Sequence, residues 1–143
     1  MSRSLKASIT ITDVLFILYW TLAALGQVNL IDIPPAAMYA NYENPIVVAW
    51  NWSFLPIDLI FSYFGLKAVA EARRGDPAWR IHAAISLILT MVAGGMAVAY
   101  WLLLLEFDPS WFLPNLALLI WPFFFLPGLI SGLSGPSTRQ ANG

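Results

Sequence analysis

The chain has no cysteine and only one histidine in 143 residues. It can form no disulfide, thiolate metal site or thiol relay, and haem or zinc sites built on several histidines are excluded with them. Charge is scarce as well. Asp, Glu, Lys and Arg make up 10% of the residues and the net charge is −1, which offers nothing to nucleic acid. Against these absences, 59% of the residues are hydrophobic and the mean hydropathy is +0.72. A soluble domain of this size could not bury so much apolar surface, so lipid is expected to solvate it.

The few charges are ordered. Four apolar runs, about 10–31, 45–69, 77–104 and 109–133, are each long enough at ~1.5 Å per residue to cross a ~30 Å hydrocarbon core as a helix. Arg3 and Lys6 precede the first run, Lys67, Arg73, Arg74 and Arg80 surround the link between the second and third, and Arg139 follows the fourth. The other two links, Asp32 to Asn44 and Leu105 to Phe112, hold Asp32, Glu43, Glu106 and Asp108 but no Lys or Arg. The positive-inside rule then puts both termini and the central link in the cytoplasm. The basic start and the small Ala24 and Gly26 give the first run some likeness to a signal peptide, but its apolar stretch is longer than an h-region and three further spans follow. The expected fold is all-α: an integral membrane four-helix bundle in one domain, 1–134, followed by a tail, 135–143, whose small and polar residues predict disorder.

Three of the runs open alike. Asn44-Pro45, Asp76-Pro77 and Asp108-Pro109 each place a side-chain acceptor at an N-cap and a proline at the first helical position, where its missing N–H costs nothing. Thr10-Ile-Thr-Asp13 fits the S/T-x-x-D/E capping pattern and predicts a first helix starting near Thr10, with Asp13 as a capping residue or, failing that, as a buried partner for Arg80 or His82. His82 itself falls near the inner boundary, where solvation is the ordinary fate of an imidazole.

Asp58 stands out because it lies thirteen residues after Pro45, near the middle of the second run. An ionised carboxylate there costs about 2.5–3.5 kcal/mol on insertion scales, so it must face the bundle, find a partner or stay protonated. Asn51, Leu55, Asp58, Ser62 and Gly65 fall at i, i+4, i+7, i+11 and i+14, a small and polar stripe on an otherwise apolar helix. Pro56 lacks an N–H and so frees the carbonyl of Trp52 one turn from Asn51. The third run presents Ala83, Ser86, Thr90, Gly94, Ala97 and Trp101 on one face. This small face is expected to approach the Asp58 stripe, with Ser86 or Thr90 bonding the carboxylate. In the fourth run Asn115 and Pro122 repeat the pairing of Asn51 and Pro56. That repetition suggests a cleft between the second and fourth runs, open toward the outer leaflet and lined by Trp50, Trp52, Trp121, Phe112 and Phe123 to Phe125.

Ile11-Thr-Asp13, the block Asn44-Pro45 to Leu59 with its Trp50-Asn51-Trp52-Ser53-Phe54-Leu55-Pro56-Ile-Asp58 core, Asp76-Pro77-Ala-Trp79-Arg80 and Asp108-Pro109-Ser-Trp111 to Asn115 together make the chain resemble the YvaD family of small bacterial four-span membrane proteins. The resemblance covers nearly the whole chain. It implies a multi-pass protein of the bacterial cytoplasmic (inner) membrane, and it implies no catalytic residues, since that family has no known function.

A lone midplane carboxylate with no neighbouring His, Cys or second acid supplies no acid–base pair, so a non-enzymatic role is expected, without cofactor or metal. Two readings compete. In one, a small amphipathic molecule or lipid is bound or passed in an interhelical cleft, with Asp58, Asn51, Asn115, Trp50, Trp52, Trp121, Ser62 and Thr90 as ligand-binding residues. In the other, the protein is an accessory subunit, docking through its aromatic outer surface onto a larger membrane complex or a second copy, and the stripe is only a polar clasp worth about 0.6–2 kcal/mol per interhelical hydrogen bond.

Overall fold

The computed structural model of the chain describes residues 1–34, 37 and 41–133. The tail 135–143, with Arg139, lies outside them. The described elements are helical: α1 (Arg3–Gln27), α2 (Pro45–Trp52), α3 (Leu55–Arg73), α4 (Trp79–Leu104), α5 (Pro109–Ile120), a 3-10 turn (Trp121–Phe124) and α6 (Leu126–Leu133). Taken as continuous rods, α1, Pro45–Arg73, α4 and Pro109–Leu133 are four helices long and apolar enough to cross a membrane.

Helix starts follow the capping chemistry with two exceptions. The Asn44 side chain accepts from the Ile46 N–H at 3.0 Å and that of Asp108 from the Ser110 N–H at 2.9 Å. Asp76 makes the same bond to Ala78, but as an Asx turn just ahead of α4, which begins at Trp79. The second exception is α1, which starts seven residues before Thr10. Ser2 is its cap, accepting from the Leu5 N–H at 3.2 Å. Leu5 and Ile9, one turn apart and 4% and 1% exposed, seat this extra length against the other helices, which is why the Thr10 capping pattern goes unused.

Prolines divide the second and fourth rods. With no N–H at Pro56, the helix pauses at Ser53 and Phe54, where the Ser53 N–H bonds back to Ala49 and Trp50 and its hydroxyl donates to the Trp50 carbonyl at 2.6 Å. Pro122 acts likewise, tightening Trp121–Phe124 into a 3-10 turn between α5 and α6. The tight link from α3 to α4 turns at Gly75, whose φ of +76° suits a residue without Cβ.

Neighbours in sequence are neighbours in space: α1 packs on α3, α3 on α4, and α4 on α5 and α6. Two apolar clusters stack along the bundle. One, at the end carrying Arg3, Lys6, Arg73 and Arg80, gathers Leu5, Ile9, Ala68, Val69, Ala83, Leu87 and Leu129. The other, toward the far end, gathers Trp20, Phe54, Phe61, Ala93 and Ala97. The α4 and α5 backbones come close at Gly94, where an added Cβ would lie 2.7 Å from the Asn115 carbonyl oxygen and 2.8 Å from the Leu119 nitrogen. The small face of the third rod thus meets the fourth rod at Gly94, while Ala83, Ala93 and Ala97 of the same helix share the two clusters with Ala68, Val69 and Phe61 of the second.

Candidate functional site

Asp58 takes a buried position in the first turn of α3: it is 3% exposed, and Ser62, one turn on, is 1% exposed. Its partner comes from α1. Trp20 Nε1 donates to Asp58 Oδ2 at 2.9 Å, while Asp58 Oδ1 has no hydrogen-bond partner among the described residues. Ser86 and Thr90, the expected partners, do not supply one. The Thr90 hydroxyl instead donates to the Ser86 carbonyl of its own helix at 2.9 Å, the usual way a threonine satisfies itself inside a helix.

Because α1 and α5 are the outer members of the series, they stand as two sides of a cleft with α2, α3 and α4 behind. The space measures about 330 Å³. Asp58, Asn51, Trp50 and Asn115 line it, joined by Tyr19, Trp20, Trp101 and Trp111, none of which was expected there. The opening therefore lies between the first and fourth rods, not between the second and fourth. A second space of about 490 Å³ lies beyond it, under the α1–α2 connection, and holds Trp52 in its wall. Tyr19, Asn51 and Trp111 line both, and the Tyr19 hydroxyl donates to Asn51 Oδ1 at 3.1 Å where the two spaces meet.

The remaining expected lining residues sit elsewhere. Trp121 packs with Phe125 on the cluster at the basic end, since six residues of α-helical rotation already carry it off the face of Asn115. Phe112 pairs with Phe107, ring centroids 4.7 Å apart, and Phe123 and Phe124 point outward at 55% and 78% exposure. Ser62 and Thr90 are buried in the bundle and do not line the cleft.

Two acids take places the sequence reading did not give them. Asp13 lies in the middle of α1, 1% exposed, with its carboxylate against the bare Cα of Gly65 and Oδ2 unpartnered among the described residues. It neither caps a helix nor meets Arg80, whose guanidinium lies 5.1 Å from the Trp79 ring centroid, or His82. Glu71, 5% exposed, takes His82: Oε2 and Nδ1 are 2.6 Å apart, and the imidazole is stacked on Phe64 at 5.6 Å. A signal for the α1 contribution was present in the spacing. Ile9, Asp13, Phe16 and Trp20 follow the same i, i+4, i+7, i+11 pattern as Asn51 to Ser62, and antiparallel packing of the two stripes sets Trp20 level with Asp58 and Asp13 level with Gly65.

Comparison with known proteins agrees with the resemblance carried by the Trp50 to Asp58 block. A sequence profile described as a family of unknown function (DUF5360) matches residues 5–134. The uncharacterized protein YvaD of Bacillus subtilis (strain 168) is 36% identical over 139 residues, an alignment covering 97% of this chain and 99% of that protein. No solved structure matches.

Proposed function

The chain belongs to the family of unknown function DUF5360, and we propose that it is a multi-pass protein of the bacterial cytoplasmic membrane that binds or passes a small amphipathic molecule or lipid in the Asp58 cleft. Its basic end faces the cytoplasm in this reading, following the distribution of Lys and Arg. The observation that carries the proposal is the pairing of a buried carboxylate oxygen that has no partner among the described residues with a space of about 330 Å³, within the range of small-molecule sites, whose other walls are rich in aromatic rings. A clasp would satisfy both oxygens against neighbouring helices and leave no room beside them. The exposed Phe123 and Phe124 offer surface for a docking partner, but acyl chains solvate such surface equally well, so the subunit reading has no observation of its own.

Native mass spectrometry of the protein in gentle detergent tests the proposal. Ala97 lines the cleft and is 4% exposed, so Ala97→Phe puts a ring into the space while keeping Asp58 and Trp20 themselves unchanged. The wild type is expected to carry a bound small molecule or lipid that the folded variant has lost. An adduct-free wild type, or identical adducts on both, contradicts the proposal.

A further inference from the structure

Resting on that reading of the cleft, we propose that its ligand is an organic cation: a tertiary or quaternary ammonium with apolar substituents, held between the Asp58 carboxylate and the surrounding aromatic rings.

The charge of the lining is one-sided. Among the described residues Asp58 is the one acidic or basic residue of the lining, and no described Lys, Arg or His lines it. Tyr19, from α1, is the other titratable group in the wall, and Asp13 lies two turns farther along α1 against Gly65, outside the lining. An ionised carboxylate in such surroundings is strongly disfavoured without a counter-charge, and the described residues of the lining supply none. A cation in the cleft would provide it, while an anion would meet repulsion with no compensating residue.

Hydrogen-bonding capacity points the same way. Four donors of the wall are engaged: Trp20 Nε1 donates to Asp58, the Tyr19 hydroxyl to Asn51, an Asn115 Nδ2 hydrogen to the Trp111 carbonyl at 2.7 Å, and the Ser110 hydroxyl to Asp108 at 2.7 Å. The group held back is an acceptor, Asp58 Oδ1, buried and without a partner among the described residues. A carboxylate with an unpartnered oxygen, as the one charged group among the described residues of the lining, repels a phosphate or carboxylate headgroup and suits a positively charged group.

The aromatic walls decide between an organic and a metal cation. Trp50 is stacked on Tyr100, with centroids 3.9 Å apart and planes 18° from parallel, and Trp101 meets it edge-on at 5.9 Å, so the indole is fixed in orientation. Ring faces attract cations through their quadrupoles and do so best when the cation is weakly hydrated. Sodium or calcium would need several oxygen ligands in place of water, and this wall is mostly carbon.

Three probes of one shape test the assignment: benzyltrimethylammonium, its neutral isostere neopentylbenzene, and benzylsulfonate as the anion. Binding is measured by calorimetry on the full chain in lipid nanodiscs, against empty nanodiscs. The cation is expected to bind the wild type at least about tenfold more tightly than the neutral isostere, with no binding of the anion, and Asp58→Asn should remove that preference while leaving neopentylbenzene unchanged. Neutral and cationic probes binding the wild type equally, or the cation binding Asp58→Asn as tightly as the wild type, overturns the cation assignment and leaves the cleft reading standing. If none of the three binds the wild type, both fall. The comparison of probes on the wild type stands even if the variant does not fold.

Discussion

Trp20 and Asp58 meet across α1 and α3 through a 2.9 Å hydrogen bond from the indole Nε1 to Oδ2, which fixes the carboxylate beside the cleft and leaves its second oxygen without a partner among the described residues. Asp58→Asn can keep an acceptor for Trp20 and is expected to lower stability by less than about 1 kcal/mol, the scale of an interhelical hydrogen bond. Asp58→Leu leaves the buried indole N–H unpaired and should cost about 1–3 kcal/mol. Thermal unfolding in detergent separates the two, and equal stability of Asn and Leu variants would show that the Trp20 bond contributes nothing.

At Gly94 the third and fourth rods touch closely, and a side chain there would push against the Asn115 carbonyl, the Leu119 nitrogen and the Leu118 Cβ, none of which is the far end of a flexible side chain. Gly94→Ala is expected to destabilise the protein by about 1–3 kcal/mol, as overpacking does where the neighbour cannot yield. Gly95→Ala is the control, since its added Cβ would meet only the flexible end of Leu119 at 3.5 Å. A Gly95→Ala variant less stable than Gly94→Ala would mean that the contact is drawn at the wrong residue.

Asp13 and Gly65 should be coupled energetically. An alanine at position 65 collides with the Asp13 carboxylate and with Ile9, so Gly65→Ala is expected to be destabilising in the wild type and less so beside Asp13→Ala. A double-mutant cycle reads the difference, expected at about 0.5–3 kcal/mol for residues in contact. Additive effects would place Asp13 away from Gly65.

Topology is the plainest consequence of the charge distribution. Reporter fusions after Arg139 and within Arg73 to Gly75 are expected to report cytoplasm, and one within Met38 to Tyr42 periplasm. A periplasmic signal at Arg139 contradicts the span count.

Much of the architecture was legible because membrane helices announce themselves by length and by proline-bounded caps: Pro45, Pro109 and Leu104 mark element ends in both the sequence and the structure. The first helix was misjudged at its start, since the Thr10 to Asp13 pattern is a local signal and the packing of Leu5 and Ile9 that overrides it is not. Burial of Asp58 could be read from the cost of a carboxylate in hydrocarbon, but its partner could not. Periodicity identifies faces and leaves open which faces meet, so Trp20 on α1 was overlooked in favour of Ser86 and Thr90 on α4. Trp121 was assigned to the cleft as one of several flat apolar rings, and its packing with Phe125 on the basic-end cluster is a tertiary contact that residue type does not reveal.

The absence of cysteine makes one measurement direct, because any introduced thiol is the only one in the chain. Ala97 and Ala83 both lie on α4, 4% and 0% exposed, but Ala97 lines the cleft and Ala83 belongs to the cluster at the basic end. Thiol modification follows access, so a cationic methanethiosulfonate is predicted to label Ala97→Cys at least about tenfold faster than Ala83→Cys in membrane vesicles. An organic cation that occupies the cleft should slow the first reaction and leave the second alone. Equal labelling rates at the two positions would contradict an accessible cleft beside Asp58.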